Sequence, residues 1–296
     1  MQRCEVQQFA FRTRISDGLV IPLAPPTDIP SIMRSAAIVG LLTVSVGLAL
    51  VAPLGAQENY EIQVYGAATV PRGVTMFELH SNYTESGRRV TSAEGELPTN
   101  HAIHETIEIT HGFTDWSELG FYWFMAVPAG QRFQWVGTHV RPRVTVPESW
   151  GWPVGVSISQ EFGYAQARFS ADTWTYELRP IIDKQMGAWY VSLNPTLEKS
   201  LRGPTASEPF VFSPNVDVGY DLTKRVNLAL EYYGATGPIN RLAPISEQEH
   251  SLYGAVNLDL GPAWEFNFGV GSALTAAGDK RLVKMILGRR VGRLPP

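Results

Sequence analysis

WTYELRPIIDKQMGAWYVSLNPTLEK, residues 174–199, contains two runs of alternating side chains on either side of Gly187-Ala188. In the first run Trp174, Tyr176, Leu178 and Ile182 share one parity, opposed by Thr175, Glu177, Arg179 and Asp183. In the second, Trp189, Val191, Leu193 and Leu197 oppose Tyr190, Ser192, Asn194, Thr196 and Glu198. Successive side chains of a strand point to opposite faces, so this period of two describes a hairpin with one apolar face and one charged face.

The same pattern recurs on both sides of this hairpin. Phe77, Leu79 and Tyr83 oppose Glu78, His80 and Asn82, and Ile103, Ile107 and Ile109 oppose His104, Thr106, Glu108 and Thr110, with Glu105 breaking the apolar parity. The run 119–126 is apolar on both parities; then Val136, Val140 and Val144 oppose His139, Arg141 and Arg143, and Val154, Val156 and Ile158 oppose Ser157 and Ser159. Beyond residue 199, Val216 and Val218 oppose Asn215 and Asp217, and Leu228 and Leu230 oppose Asn227 and Glu231. Strands at 252–260, with Asn257 and Asp259 on the polar side, at 264–270, with Glu265, and at 281–291, with Lys284, bring the count to twelve.

Connections after even-numbered strands are short, and those after odd-numbered strands run longer, as at 85–100 and 235–249. Short periplasmic turns alternating with longer outer loops, joined to strands that are apolar on one face, predict a closed antiparallel transmembrane β-barrel, all-β and about twelve strands. Trp116, Trp150, Trp152, Trp189 and Trp264 fall beside the short turns, where an interfacial girdle belongs. A soluble β-sandwich or lipocalin-like barrel shares the turn spacing, but twelve consecutive strands with charges confined to one face fit it less well.

Mean hydropathy is −0.06 and 44% of residues are hydrophobic. An average near zero suits a barrel, which hides its apolar face in every second residue. After Ala56 no run of 18 or more apolar residues forms a helical span. The net charge of −4 and the lack of a basic stripe argue against nucleic acid. Met33 and Arg34 precede an uncharged stretch at 36–51, then Pro53-Leu54-Gly55-Ala56, which predicts a signal peptide at 33–56 cleaved after Ala56 rather than a helical anchor. Residues 1–32, with Pro25-Pro26 and Pro30, do not belong ahead of a signal peptide, so Met33 is the expected start. The expected organisation is then a periplasmic segment at 57–72, a barrel at 73–291 and a tail at 292–296. The single Cys4 lies in the leader, which excludes a disulfide framework or thiolate metal site from the mature chain.

Pro142, Pro180, Pro195 and Pro214 lie inside strands on the apolar parity and predict bulges or kinks, because each lacks a ladder donor. The strings Tyr60-Glu61-Ile62-Gln63-Val64-Tyr65, Glu78-Leu79-His80-Ser81-Asn82-Tyr83, Glu177-Leu178-Arg179-Pro180-Ile181-Ile182-Asp183-Lys184, Glu231-Tyr232-Tyr233-Gly234 and Met285-Ile286-Leu287-Gly288-Arg289-Arg290 resemble an uncharacterised family of bacterial outer-membrane proteins, the channels of the phenol-degradation MetA-pathway type. The resemblance runs over nearly the whole mature chain. It implies a barrel and a transport role, with no catalytic residues assigned. Such chains often end on an aromatic residue read by the barrel-assembly machinery, whereas this one has Val291 followed by residues 292–296.

The expected lumen-lining residues are Glu78, His80, His104, Glu108, His139, Arg141, Arg143, Glu177, Arg179, Asp183, Glu198, Asp217, Glu231, Asp259, Glu265 and Lys284. Rings of such charges set permeant selectivity in an open pore, and the alternative is that they pair with one another to fill a narrow barrel. His80-Ser81-Asn82 has the residue types of a lipid hydrolase, but neighbours in a strand point to opposite faces. His101, His104 and His111 match no standard metal spacing. Gly269-Val270-Gly271 opens no helix and so cradles no phosphate. The sequence therefore predicts no enzyme, no cofactor and no metal. It predicts passive passage of small molecules, with a lipid hydrolase or a purely structural barrel as alternatives. The expected partners are outer-membrane lipid, a small-molecule permeant and the barrel-assembly machinery.

Overall fold

The computed structural model describes residues 59–92 and 95–293; the leader and the signal peptide lie outside the described residues. Twelve strands pair antiparallel with their neighbours in chain order, and the last pairs with the first to close a barrel. They are β1 (Thr75–Ser86), β2 (Ile103–Thr114), β3 (Ser117–Val127), β4 (Gln134–Thr145), β5 (Gly155–Ala165), β6 (Trp174–Met186), β7 (Trp189–Arg202), β8 (Val211–Thr223), β9 (Val226–Ala235), β10 (Glu249–Leu258), β11 (Trp264–Ala273) and β12 (Lys280–Val291). Closure leaves no free sheet edge, the condition for a sheet in hydrocarbon, where every unpaired backbone group is costly.

Parity decides which residues face out. Phe77, Ile107, Phe121, Trp123, Ile158, Phe162 and Leu230 are exposed, while His80, Thr106, Glu108, Arg141, Ser192 and Asn194 are buried. Burying one large apolar side chain contributes about 1.5–3 kcal/mol. An apolar band wrapped around a polar interior is therefore the reverse of a water-soluble core, and it fits a lipid-facing wall.

The turns explain the two ends. Gly187 takes φ 64° between β6 and β7, and Thr223 Oγ1 accepts the backbone N–H groups of Arg225 and Val226 between β8 and β9. Trp116, Trp150, Trp152, Trp189 and Trp264 are all exposed near this short-turn end. At the long-loop end Trp135, Tyr164 and Trp174 pack in series, with ring centroids 6.0 and 5.1 Å apart. This second aromatic cluster was not anticipated from the sequence.

Three local expectations are corrected. Val136 is buried inside, against Tyr60, Tyr122 and Phe124, rather than on the apolar outer parity. The ladder passes from Phe124↔Gly137 to Met125↔Trp135, so a bulge at Val136 turns its side chain inward. The prolines do not make bulges. Pairing between β4 and β5 lapses from Val140↔Phe162 to Arg143↔Ser159, and between β6 and β7 from Leu178↔Leu197 to Ile182↔Leu193, yet the register is the same on both sides of each gap. A missing donor opens rungs without inserting a residue, and at Pro195↔Pro214 even the pairing is kept. Asp259, placed in the lumen by the alternation, lies beyond the end of β10, exposed in the turn, where it accepts the Gly261 N–H at 2.8 Å.

The largest correction concerns the segment ahead of β1. Residues 57–72 were expected in the periplasm, but Tyr60, Glu61, Ile62, Tyr65 and Ala67 are buried within the barrel. Asn59 donates to Asp279 beside the loop between β11 and β12, at the long-loop end. Val70 N–H donates to Glu118 at the start of β3, at the short-turn end. The chain thus runs down the interior and turns back into β1, where Gly73 N–H donates to the Gly112 carbonyl at 2.8 Å.

Candidate functional site

A strand-like segment crossing a barrel has no neighbouring strand to pair with, so its backbone groups need other partners. Inward side chains of the wall supply them. Asn194 Oδ1 accepts the Tyr65 N–H at 2.8 Å, while Asn194 Nδ2 and Ser192 Oγ donate to the Tyr65 carbonyl at 2.9 and 2.6 Å. Thr106 Oγ1 donates to the Tyr60 carbonyl at 2.7 Å, and Lys284 Nζ to that of Ile62 at 3.0 Å. Asp183 accepts the Ala67 N–H at 2.9 Å, and the Arg143 guanidinium donates to the Ala68 carbonyl. Asn82 holds the Asn59 carbonyl at 2.9 Å.

Around Tyr65 the interior becomes a charged network. The guanidinium carbons of Arg179, Arg141 and Arg143 lie 4.8, 5.0 and 5.8 Å from its ring centroid. Its hydroxyl donates to Glu61 and lies 3.1 Å from the Tyr122 hydroxyl. Arg141 donates to Glu118 at 2.9 Å and pairs with Glu108 and the Tyr122 hydroxyl. Arg143 also faces Glu118, at 3.3 Å. Arg179 Nη2 donates to Glu177 at 2.9 Å, its Nε lies 2.7 Å from the other carboxylate oxygen, and the guanidinium lies 3.6 Å from Glu61. A cation–π contact in a desolvated setting is worth about 2 kcal/mol, so the guanidiniums add to the hold on Tyr65.

The remaining sequence-predicted residues fall into smaller groups. His104 meets the Tyr60 ring edge-on at 4.9 Å, and His139 pairs with Glu161. Asp183 also accepts the Tyr190 hydroxyl at 2.8 Å. Lys284 on β12 pairs with Glu231 three strands away on β9, and Asp217 sits across the ladder from Glu231. Glu265 pairs with Arg290 at 2.9 Å, and Glu198 is half-buried on β7. Glu78, His80 and Glu108 converge on the wall formed by β1 and β2. The sequence reading missed Glu61, Tyr65, Glu118, Tyr122 and Glu161. For Glu161 the signal was present, two residues past Ser159 on the same parity.

These contacts pair most of the charges with each other rather than leaving a bare charged ring. Toward the short-turn end the interior opens into a cavity of about 630 Å³, lined by Asp221, Asn227, Asn257, Trp264, Glu265 and Arg290. His80 and Ser81 do not form a hydrolase pair: His80 is buried inside, whereas Ser81 donates to Glu105 at 2.8 Å on the outward parity.

An apolar outer wall around a charged interior, closed by twelve antiparallel strands, defines a membrane-spanning β-barrel protein of the outer-membrane type. No family model and no curated protein matches the chain. Among solved structures, an outer membrane channel from Pseudomonas putida F1 shares the fold with a TM-score of 0.55 and 12% identity, over 78% of this chain and 100% of that one. The NanC porin aligns with a TM-score of 0.49 and 8% identity, over 74% of this chain and 100% of that one.

Proposed function

We propose that the protein is an outer-membrane channel for small molecules whose passage is closed by its own N-terminal segment. The observation that carries this reading is the seating of residues 59–70 inside the barrel on side chains from β1, β2, β3, β4, β6, β7 and β12. In this state the segment occupies the route between the two mouths, so conduction requires it to shift or leave. The fold it shares with an outer membrane channel supports the reading. The sequence resemblance to the MetA-pathway type supports small aromatic or hydrophobic compounds as the permeant, and Tyr60, Tyr122, Phe124 and Tyr253 give the interior apolar patches beside its charges. The signal peptide at 33–56 and the barrel-assembly machinery deliver the chain to that membrane in this reading. The wall pairs of β4 and β6 then set ion selectivity once the segment moves.

The test is planar-bilayer recording of the folded protein beginning at Gln57, beside a variant lacking residues 57–70, with a heat-modifiable gel shift to establish folding. Rare, brief openings in the first and stable current steps in the second are expected. Equal conductance in both, or silence from a folded deletion variant, would overturn the proposal.

A further inference from the structure

We propose that Glu78, His80 and Glu108 form a site for one divalent first-row transition-metal ion, of the zinc type, on the inner wall between β1 and β2. Glu78 and His80 are two residues apart on β1 and so share a face, and the ladder sets Glu108 directly across from Glu78. One ligand atom from each lies within 4.8 Å of the others. Bonds of about 2.0–2.2 Å to imidazole nitrogen and carboxylate oxygen draw tetrahedral donors to roughly 3.4 Å from one another, a closure that side-chain rotation supplies.

His80 gives the independent observation. It is 0% exposed, and its Nδ1 has no hydrogen-bond partner. Its Nε2 has only a long contact with Glu108 Oε2, at 3.4 Å, and that oxygen has no other partner. A buried polar atom left unsatisfied is costly, and an ion between these two atoms satisfies both at once. The rest of Glu108 is already fixed: its Oε1 accepts from Arg141 and from the Thr110 hydroxyl, so Oε2 stays turned toward His80. Support of this kind behind a ligand is what metal sites use to orient their first shell.

Charge points the same way. Glu78 and Glu108 are like-charged residues directly opposed across a ladder, an unfavourable pairing that a divalent cation reverses. Among the described residues no cation stands in salt-bridge range of Glu78, whereas Arg141 serves Glu108 and Glu118, and Arg290 serves Glu265. One imidazole with two carboxylates suits zinc and its first-row neighbours better than calcium, which takes six to eight oxygens.

Access comes from the short-turn mouth. Gly288 sits across β12 from Glu78, and a Cβ there would lie 3.1 Å from Glu78 Cγ, 3.2 Å from Glu265 Cβ and against the Met76 methyl. The missing side chain lets Glu78 and Glu265 pack close together, and Glu265 lines the 630 Å³ cavity at that mouth.

The experiment is zinc uptake by the folded full-length barrel, stripped with a chelator and dialysed against zinc, with metal content measured per chain. One zinc per chain is expected, with affinity reduced more than about tenfold in Glu78→Gln and in His80→Gln and unchanged in His111→Gln. A gel shift on heating establishes that each variant is folded. X-ray absorption of the wild-type zinc form is the second measurement, and it does not depend on any variant folding. A shell of one imidazole with oxygen ligands supports the site; several imidazoles or oxygens alone overturn it. Less than stoichiometric zinc in the wild type, or full retention in folded His80→Gln, also overturns it.

Discussion

Asn194 shows how much one side chain does here. Its amide bonds both the N–H and the C=O of Tyr65, as a neighbouring strand would. Asn194→Ala leaves the Tyr65 N–H buried and unsatisfied, at about 1–3 kcal/mol, while Ser192 still serves the carbonyl. Channel openings should become frequent while the gel shift persists; an unchanged recording would show that Tyr65 is held by its ring alone. Arg141 is the electrostatic counterpart. Arg141→Met strands the Glu108 carboxylate in the interior, while Glu118 keeps Arg143, and should cost about 3–5 kcal/mol, read as a lower denaturant midpoint for the folded barrel. At this scale the sequence was partly legible. The inward parity of Arg141, Arg143 and Arg179 follows from alternation, but their partners do not. Glu118 comes from another strand, and Glu61 and Tyr65 from a segment that belongs to no strand.

Among the elements, the strands were the most readable because lipid imposes one rule on every outward residue. The irregularities were less so. A bulge obeys local backbone geometry rather than hydrophobic period, so nothing in Trp135-Val136-Gly137 announced that Val136 turns inward. The inner segment was hidden for a related reason: its partners are side chains, and side-chain partners leave no periodicity. Its departure from the wall is nonetheless marked by Gly112, where a Cβ would collide with the Val70 and Pro71 carbonyls. Gly112→Val should unseat the lower end of the segment and leave the ladder of β2 largely intact. The expected readout is faster protease cleavage near residues 70–73 from the short-turn side, with the gel shift preserved; unchanged cleavage would mean that the contact is slack.

For the whole molecule, the alternation predicted the right number of strands and most of the short-and-long turn pattern, missed the long join from Thr145 to Gly155, and misplaced the segment ahead of β1. Twelve crossings by strands are joined by a thirteenth through the interior, from Asn59 at the long-loop end to Val74 at the short-turn end. Asn59→Cys in intact cells should accordingly react with a membrane-impermeant maleimide added from outside; protection there, with labelling only after the outer membrane is opened, would refute the threading. An odd number of crossings also separates the two ends of the fold. A short epitope ahead of Asn59 would be displayed to the surroundings and one after Val291 to the cell's interior side, so this barrel offers opposite addresses at its two ends.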